Sequence, residues 1–270
     1  MRLEATQSSN HPTEPDQDIA ALEAWTAQFN EEAAIRLTPE ARQIEDLGAA
    51  YSLLHTYIAD PDYQFGEESI KAFHRTLSPH IPNIIGSIGE YYTSPRKIQS
   101  GLPWELKPFV QGKAKIPAMA QLGQDFGDYM QTTIEKPEDI EPVVTHAVDT
   151  ITRLEDIHPF FDGNGRTGRL LVDAIFLKAG LHQIPYWIKP EVGNDQLSAE
   201  KLRFFRIIED SRLGDRSGLT QLLVQEQMRA IGDAINALLM DERTRDLPET
   251  TIEVARQREY LSFLAQLSRE

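Results

Sequence analysis

Apolar side chains recur along most of this chain at three- and four-residue steps, the spacing of one face of an α-helix. From Asp18 the run is Ile19, Leu22, Trp25, Phe29 and Ala33, with Asp18 in a capping position. Pro39 suits a first helical turn and opens a second run that carries Ile44, Leu47, Tyr51, Leu54 and Ile58 along one face and stops at Asp60-Pro61. A third run holds Ile70, Phe73 and Leu77. His55 and His74 fall on these faces and read as satisfied core or interface histidines. Residues 101–136 are loop-rich around one helix near 117–130. The most regular stripe follows Pro137: Ile140, Val143, Val144, Ala147, Val148, Ile151, Leu154 and Ile157 mark a buried face about five turns long. His146, on the same helix, reads as a packing or capping residue. A shorter helix over about 166–179 buries Leu170, Leu171, Ala174, Ile175 and Leu177 and ends at Gly180. Downstream, two helices are separated by a Gly214-Asp215 break, and 249–267 carries a fading pattern with Ile252, Leu264 and Leu267.

Two stretches depart from this period. Residues 1–17 have few apolar side chains and two prolines, which predicts a disordered start. Residues 84–100 mix β-branched and aromatic residues around Gly86, Gly89 and the Ser94-Pro95 turn signal, which predicts a short β-hairpin. The expected fold class is therefore all-α, a helical bundle with one small β-hairpin flap.

Composition narrows the role. With 270 residues, 40% hydrophobic and 26% charged, the chain can bury a sizeable core as a soluble globule. A net charge of −15 argues against nucleic-acid or anionic-membrane partners, which are recruited by basic patches. The absence of cysteine excludes a disulfide framework and thiol catalysis. No apolar run reaches the roughly 18 residues of a membrane span and the N-terminus lacks a signal-peptide core. A cytoplasmic protein is expected; an effector delivered into another cell by a dedicated secretion system would look the same.

The candidate chemistry lies between two helices, in His158–Arg169, HPFFDGNGRTGR. Gly163, Asn164 and Gly165 form a backbone-permissive loop at a helix start, where N–H groups and the helix dipole favour an anion, above all a phosphate. Arg166 and Arg169 stand three apart on one face and suit a di- or triphosphate. Asp162 is a hard oxygen ligand suited to Mg²⁺. A neutral imidazole at His158 could take a proton from an attacking hydroxyl. Pro159 breaks the preceding helix, and Phe160 is expected to pack inward and anchor the loop. No GK(S/T) follows the glycines, so this is not a Walker loop.

The string resembles the signature of the Fic family, HPF-x-(D/E)-GN-(G/K)-R-x-x-R, at every fixed position, most sharply over about residues 140–180. The Doc-like and phosphocholine-transferring branches depart at the Gly-Asn-Gly portion. The resemblance implies a Fic-type helical bundle and an ATP- and Mg²⁺-dependent enzyme that moves AMP onto a Ser, Thr or Tyr hydroxyl of a target protein. It implies His158 as general base and Asp162 as holder of Mg²⁺. The Gly163–Gly165 backbone and the Asn164 side chain would stabilise charge on the α-phosphate, and Arg166 and Arg169 would hold the β- and γ-phosphates. UMP or GMP transfer, phosphoryl transfer and removal of AMP remain open at such a site. A non-catalytic nucleotide-binding scaffold is the other class, and an intact His158, Asp162, Asn164, Arg166 and Arg169 speaks against it.

In Fic proteins a flap beside the active site docks the target by strand addition. This chain offers Gly89, Tyr91, Tyr92 and Thr93 there, without the arginine of the family's G-x-Y-R pattern. Several subgroups restrain themselves with a helix bearing (S/T)-x-x-x-E-(G/N), whose glutamate pairs with the second motif arginine. No Glu-Gly or Glu-Asn dipeptide occurs in this chain, so restraint comes from a separate antitoxin-like protein, is degenerate, or is lacking. The expected layout is a disordered 1–17, N-terminal helices over 18–78, a Fic domain over 79–240 with its flap at 84–100 and motif loop at 158–169, and a C-terminal helical extension over 241–270.

Overall fold

The computed structural model describes residues 39–79, 88–94, 102–132, 139–184, 199–241 and 247–268. The fold is that of the compact unit 43–270; of the other unit, 1–42, only residues 39–42 are described. The disorder expected over 1–17 and the helix expected from Asp18 lie outside the described residues. Eight α-helices are found among the described residues: α1 Pro39–Ala59, α2 Glu67–Leu77, α3 Lys115–Thr132, α4 Glu141–Ile157, α5 Asn164–Lys178, α6 Ala199–Arg212, α7 Ser217–Met240 and α8 Pro248–Leu267, with one 3-10 turn at Gly112–Ala114. None is long and apolar enough to cross a membrane.

Helix α4 is the axis of the bundle and packs against α3, α5, α6 and α7. Its predicted stripe is buried throughout, from Val143 to Leu154 and Ile157. Each such aliphatic side chain contributes about 1.5–3 kcal/mol over an exposed one, so this face anchors the fold. The helix starts at Glu141, with Pro142 in the first turn, four residues later than the position of Pro137 suggested. Helix α5 buries Leu170 to Phe176 against α4 and α2. Helix α3 meets the 65–67 turn through glycines: a Cβ at Gly127 would lie 2.3 Å from the Phe65 carbonyl oxygen, and one at Gly123 2.6 Å from the Glu67 nitrogen. No larger residue allows that approach.

Two helices bury only part of the face expected; Leu54 and Leu264 lie inward as expected. On α1, Ile44 is 68% exposed and Leu47 is also exposed, while Asp46, Ala50 and Leu54 face inward. His55 is exposed, not a core residue. On α8, Ile252 is exposed and Val254, Gln257, Tyr260 and Leu264 are buried. Gln257 and Gln227 of α7 are joined through His182: its Nε2 lies 3.0 Å from Gln257 Oε1, and its backbone carbonyl accepts from Gln227 Nε2. A buried polar pair is thereby satisfied, which a purely apolar reading of the α8 pattern could not find.

The β-hairpin is not seen. Residues 88–94 contain no strand; Gly89, at φ 83°, turns the chain there. Instead of meeting a partner strand, the Gly89 and Tyr92 N–H groups donate to the His74 ring and the Pro159 carbonyl. The rest of the expected hairpin lies outside the described residues.

Candidate active site

Helix α4 delivers His158. The helix ends because His158 adopts the left-handed conformation (φ 48°, ψ 60°) while its N–H still donates to the Leu154 carbonyl at 2.8 Å. It is the one non-glycine residue with positive φ among the described residues, at a cost of about 1–2 kcal/mol. Three contacts hold it. The buried Lys115 donates from Nζ to the His158 carbonyl at 2.6 Å. The Phe109 ring lies 4.6 Å from the imidazole. Glu155, one turn earlier on α4, brings Oε2 to 3.4 Å from Nδ1.

The loop that follows is clamped from within. Phe160 is buried as expected, with its ring stacked on His74 at 3.8 Å. Asn164, 2% exposed, accepts from the Phe160 N–H and donates to the Phe160 carbonyl, each at 2.9 Å. Both ends of the amide are thus used in bracing the loop, a role the sequence did not show, and the second Nδ2 hydrogen makes no hydrogen bond among the described residues. Gly163, at φ 83°, makes the turn into α5 without a Cβ penalty, and no side chain caps that helix start. Its first-turn N–H groups and positive dipole end face the loop.

His74 ties the loop to the 88–94 segment. Its Nδ1 accepts the Gly89 N–H at 3.0 Å, which places the ring proton on Nε2, 2.9 Å from the Asp162 carbonyl. Burial lowers its pKa, in keeping with a neutral, bridging imidazole. It is a satisfied histidine, as read from the sequence, but its bridging of two parts of the site was not legible. His146 is a packing residue, stacked on Tyr129 at 3.7 Å.

The two arginines differ. Arg166 lies 3.8 Å from Asp162 Oδ1, and burial lowers its pKa against the opposing fields of Asp162 and Asp46. Arg169 is also held below its usual pKa by burial, with Glu155 the chief opposing influence. No side-chain hydrogen bond or ion pair engages Arg169 among the described residues. Behind it, the buried Asp173 accepts from the Tyr51 hydroxyl and from the Ile184 N–H (2.8 Å), and burial pushes its pKa up to about 7.

Two hollows meet at His158. A cavity of about 380 Å³ runs from Gly163–Gly165 past Phe161 to an apolar wall of Leu102, Leu106, Phe109, Phe205 and Ile208. That wall is fixed by Arg212, whose guanidinium lies 4.0 Å over the Phe109 ring and pairs with Glu209 at 2.7 Å. The second hollow, a small cleft, is lined by Tyr92, Ser94, Phe109, Gln111, Lys115, His158 and Phe160. Tyr92 is pinned there by its N–H bond of 2.8 Å to Pro159, and the Tyr91 hydroxyl donates to Glu67 at 2.8 Å. Thr93 is half-buried beside them.

Among the described residues no group of three or more His, Cys, Asp or Glu side chains could hold a metal ion. Asp162 presents one carboxylate, 55% exposed, at the edge of the phosphate loop. That donor set fits Mg²⁺, which takes one or two carboxylates and completes its shell with substrate phosphates and water. Sequence reading missed Glu155 and Lys115. The three-residue step from Glu155 to His158 was visible, but the left-handed turn that brings them together was not.

Residues 64–176 match the model of the Fic/DOC family. A 64-residue stretch is 38% identical to "Protein adenylyltransferase Fic" of Nematostella vectensis, covering 24% of this chain and 15% of that protein. Over 98 residues the chain is 31% identical to a Fido domain-containing protein of Dictyostelium discoideum, covering 36% of this chain and 55% of that one. The chain thus spans only part of the length of these relatives. Among solved structures it resembles Fic-1 from C. elegans, with a TM-score of 0.53 at 19% identity, over 74% of this chain and 52% of that one. At that identity the likeness concerns the fold.

Proposed function

The chain is a Fic-family protein, and from that premise we propose that it transfers AMP from ATP to a Ser, Thr or Tyr hydroxyl of a target protein. The observation that carries this is the position of His158, which lines both the larger cavity beside the glycine loop and the small cleft under Tyr92 and Ser94. Nucleotide and incoming hydroxyl can then approach the imidazole from two sides. The base and ribose would lie against Phe109, Phe205 and Ile208, with the α-phosphate over Gly163–Gly165. Arg166 and Arg169 would take the β- and γ-phosphates, which leave as pyrophosphate. Asp162 would hold Mg²⁺, which when bound offsets phosphate charge. His158 accepts the hydroxyl proton as the oxygen bonds to phosphorus; the helix start stabilises the charge that develops. The target segment would run past Tyr91, Tyr92 and Thr93. Where a separate inhibitory protein binds, a glutamate offered to Arg169 would be its means of restraint.

The test is incubation of the purified protein and a cell lysate with ATP labelled on the α- or the γ-phosphate. Label should enter protein from the α-position alone. His158→Ala should lower incorporation about 10²–10⁴-fold with ATP affinity nearly unchanged. Transfer of γ-label would assign phosphoryl transfer instead, and incorporation that survives His158→Ala would remove the imidazole from the reaction.

A further inference from the structure

Glu155 stands between the two groups on which the proposed transfer depends. Its side chain is 14% exposed, on the α4 turn just before His158. Oε2 lies 3.4 Å from His158 Nδ1. Oε1 lies 3.4 Å from the point a Gly165 Cβ would occupy, and Arg169 Nη1 lies 3.4 Å from that same point. His158 Nδ1 is itself buried and makes no hydrogen bond at the observed separation. A buried polar nitrogen left without a partner costs about 1–3 kcal/mol, and the carboxylate beside it is the natural acceptor. The imidazole has little freedom to look elsewhere. Lys115 fixes the His158 carbonyl, the backbone is held in a left-handed turn, and Phe109 covers one face of the ring.

We propose that Glu155 is a positioning residue that fixes the tautomer of His158. A carboxylate facing Nδ1 favours the ring proton on Nδ1 and leaves the lone pair on Nε2, pointed away from α4. In the transfer, the target hydroxyl gives its proton to Nε2 while its oxygen bonds to the α-phosphorus and pyrophosphate leaves. The imidazolium so formed keeps its Nδ1 proton, and its charge is offset by Glu155. The same carboxylate sits beside Gly165, where phosphate charge is to be placed. Glu155 therefore favours turnover and opposes nucleotide binding. The catalytic half of this rests on the proposed transferase activity; the tautomer does not.

Two variants test it, Glu155→Gln, which keeps the shape, and Glu155→Leu, which keeps much of the volume and removes every acceptor. The decisive reading is the ¹⁵N spectrum of histidine-labelled protein above the titration range, with His158 assigned by loss of its signals in His158→Ala. Wild type should show the Nδ1–H tautomer, and Glu155→Leu should shift His158 toward Nε2–H or a mixture. Both variants should lose about 10- to 100-fold in kcat, a part of what a general base contributes, with KM for ATP unchanged or lower. A merely structural residue would instead lower the melting temperature and raise KM. An Nδ1–H tautomer that persists in Glu155→Leu overturns the proposal, as does an Nε2–H tautomer in the wild type. Should the wild type transfer nothing, the spectra still decide the role of Glu155, and the transferase activity alone fails.

Discussion

Asn164→Ala separates a residue that braces the loop from one that touches the phosphate. The wild-type amide accepts from the Phe160 N–H and donates to the Phe160 carbonyl, both at 2.9 Å and both buried. Truncation leaves two main-chain groups without partners, at about 1–3 kcal/mol each. Partial access of water to the vacated space lowers that sum, so a loss of about 2–4 kcal/mol is expected. For a chain of this size it corresponds to a fall in Tm of about 5–15 °C. Differential scanning calorimetry of the nucleotide-free protein measures it, with ATP affinity by titration calorimetry as the companion assay. Affinity should fall as well, because Gly163 and the start of α5 are then no longer held in place. Asn164→Asp should destabilise too, since a carboxylate cannot donate to the Phe160 carbonyl. A variant that melts at the wild-type temperature yet has lost turnover would refute the bracing role and return the side chain to the phosphate.

Other outcomes follow from the same geometry. Asp162→Ala, at an exposed position, should change stability by less than about 0.5 kcal/mol but weaken the dependence of activity on Mg²⁺ and lower turnover; an unchanged Mg²⁺ titration would remove Asp162 from the metal site. Arg166→Ala should raise KM for ATP, with less effect on nucleotides lacking the phosphate it holds; equal effects on all of them would mean that Arg166 holds no terminal phosphate. Asp173→Asn should stabilise the protein at alkaline pH. The folded-state pKa of Asp173 is pushed up to about 7 from 3.8, so the folded protein binds more protons over that interval and stability contributed by this group declines as pH rises through it. The asparagine can still accept from Ile184 and donate to the Tyr51 oxygen. The gain in Tm should therefore be larger at pH 8 than at pH 5, and a gain independent of pH would contradict the burial of a titrating Asp173.

The helices and the loop were legible for different reasons. The α4 stripe is long enough that its period identifies the element and its buried face together, and every position from Val143 to Leu154 behaves accordingly. The HPFFDGNGRTGR loop is contiguous, so its glycines and arginines carry their chemistry in the order written. On α1 and α8, apolar residues lie on more than one face, and period alone cannot say which face meets the bundle; Ile44 and Ile252, expected inward, stand in solvent. The 84–100 segment has strand-forming residues, yet in its described part the backbone donors at Gly89 and Tyr92 go to His74 and Pro159, partners that only the tertiary fold supplies. Asn164 illustrates the same limit within the motif. Its identity was plain, but whether its amide faces inward or toward substrate depends on the turn at Phe160.

In the proposed reading, His158 and the arginine-bearing loop form a working adenylyl-transfer site in which the Arg169 side chain makes no hydrogen bond or ion pair among the described residues, though the Glu155 carboxylate acts on it electrostatically. The most direct measurement is intact-mass spectrometry of the purified wild-type protein after incubation with Mg²⁺ and ATP, run beside His158→Ala with ATP binding verified for both. The wild type should gain the mass of an adenylyl group by modifying itself, release pyrophosphate, and need no relieving mutation, while His158→Ala should gain nothing. Full binding of ATP without any gain in mass by the wild type would contradict this assignment, and would mean that this chain carries its own restraint on the site.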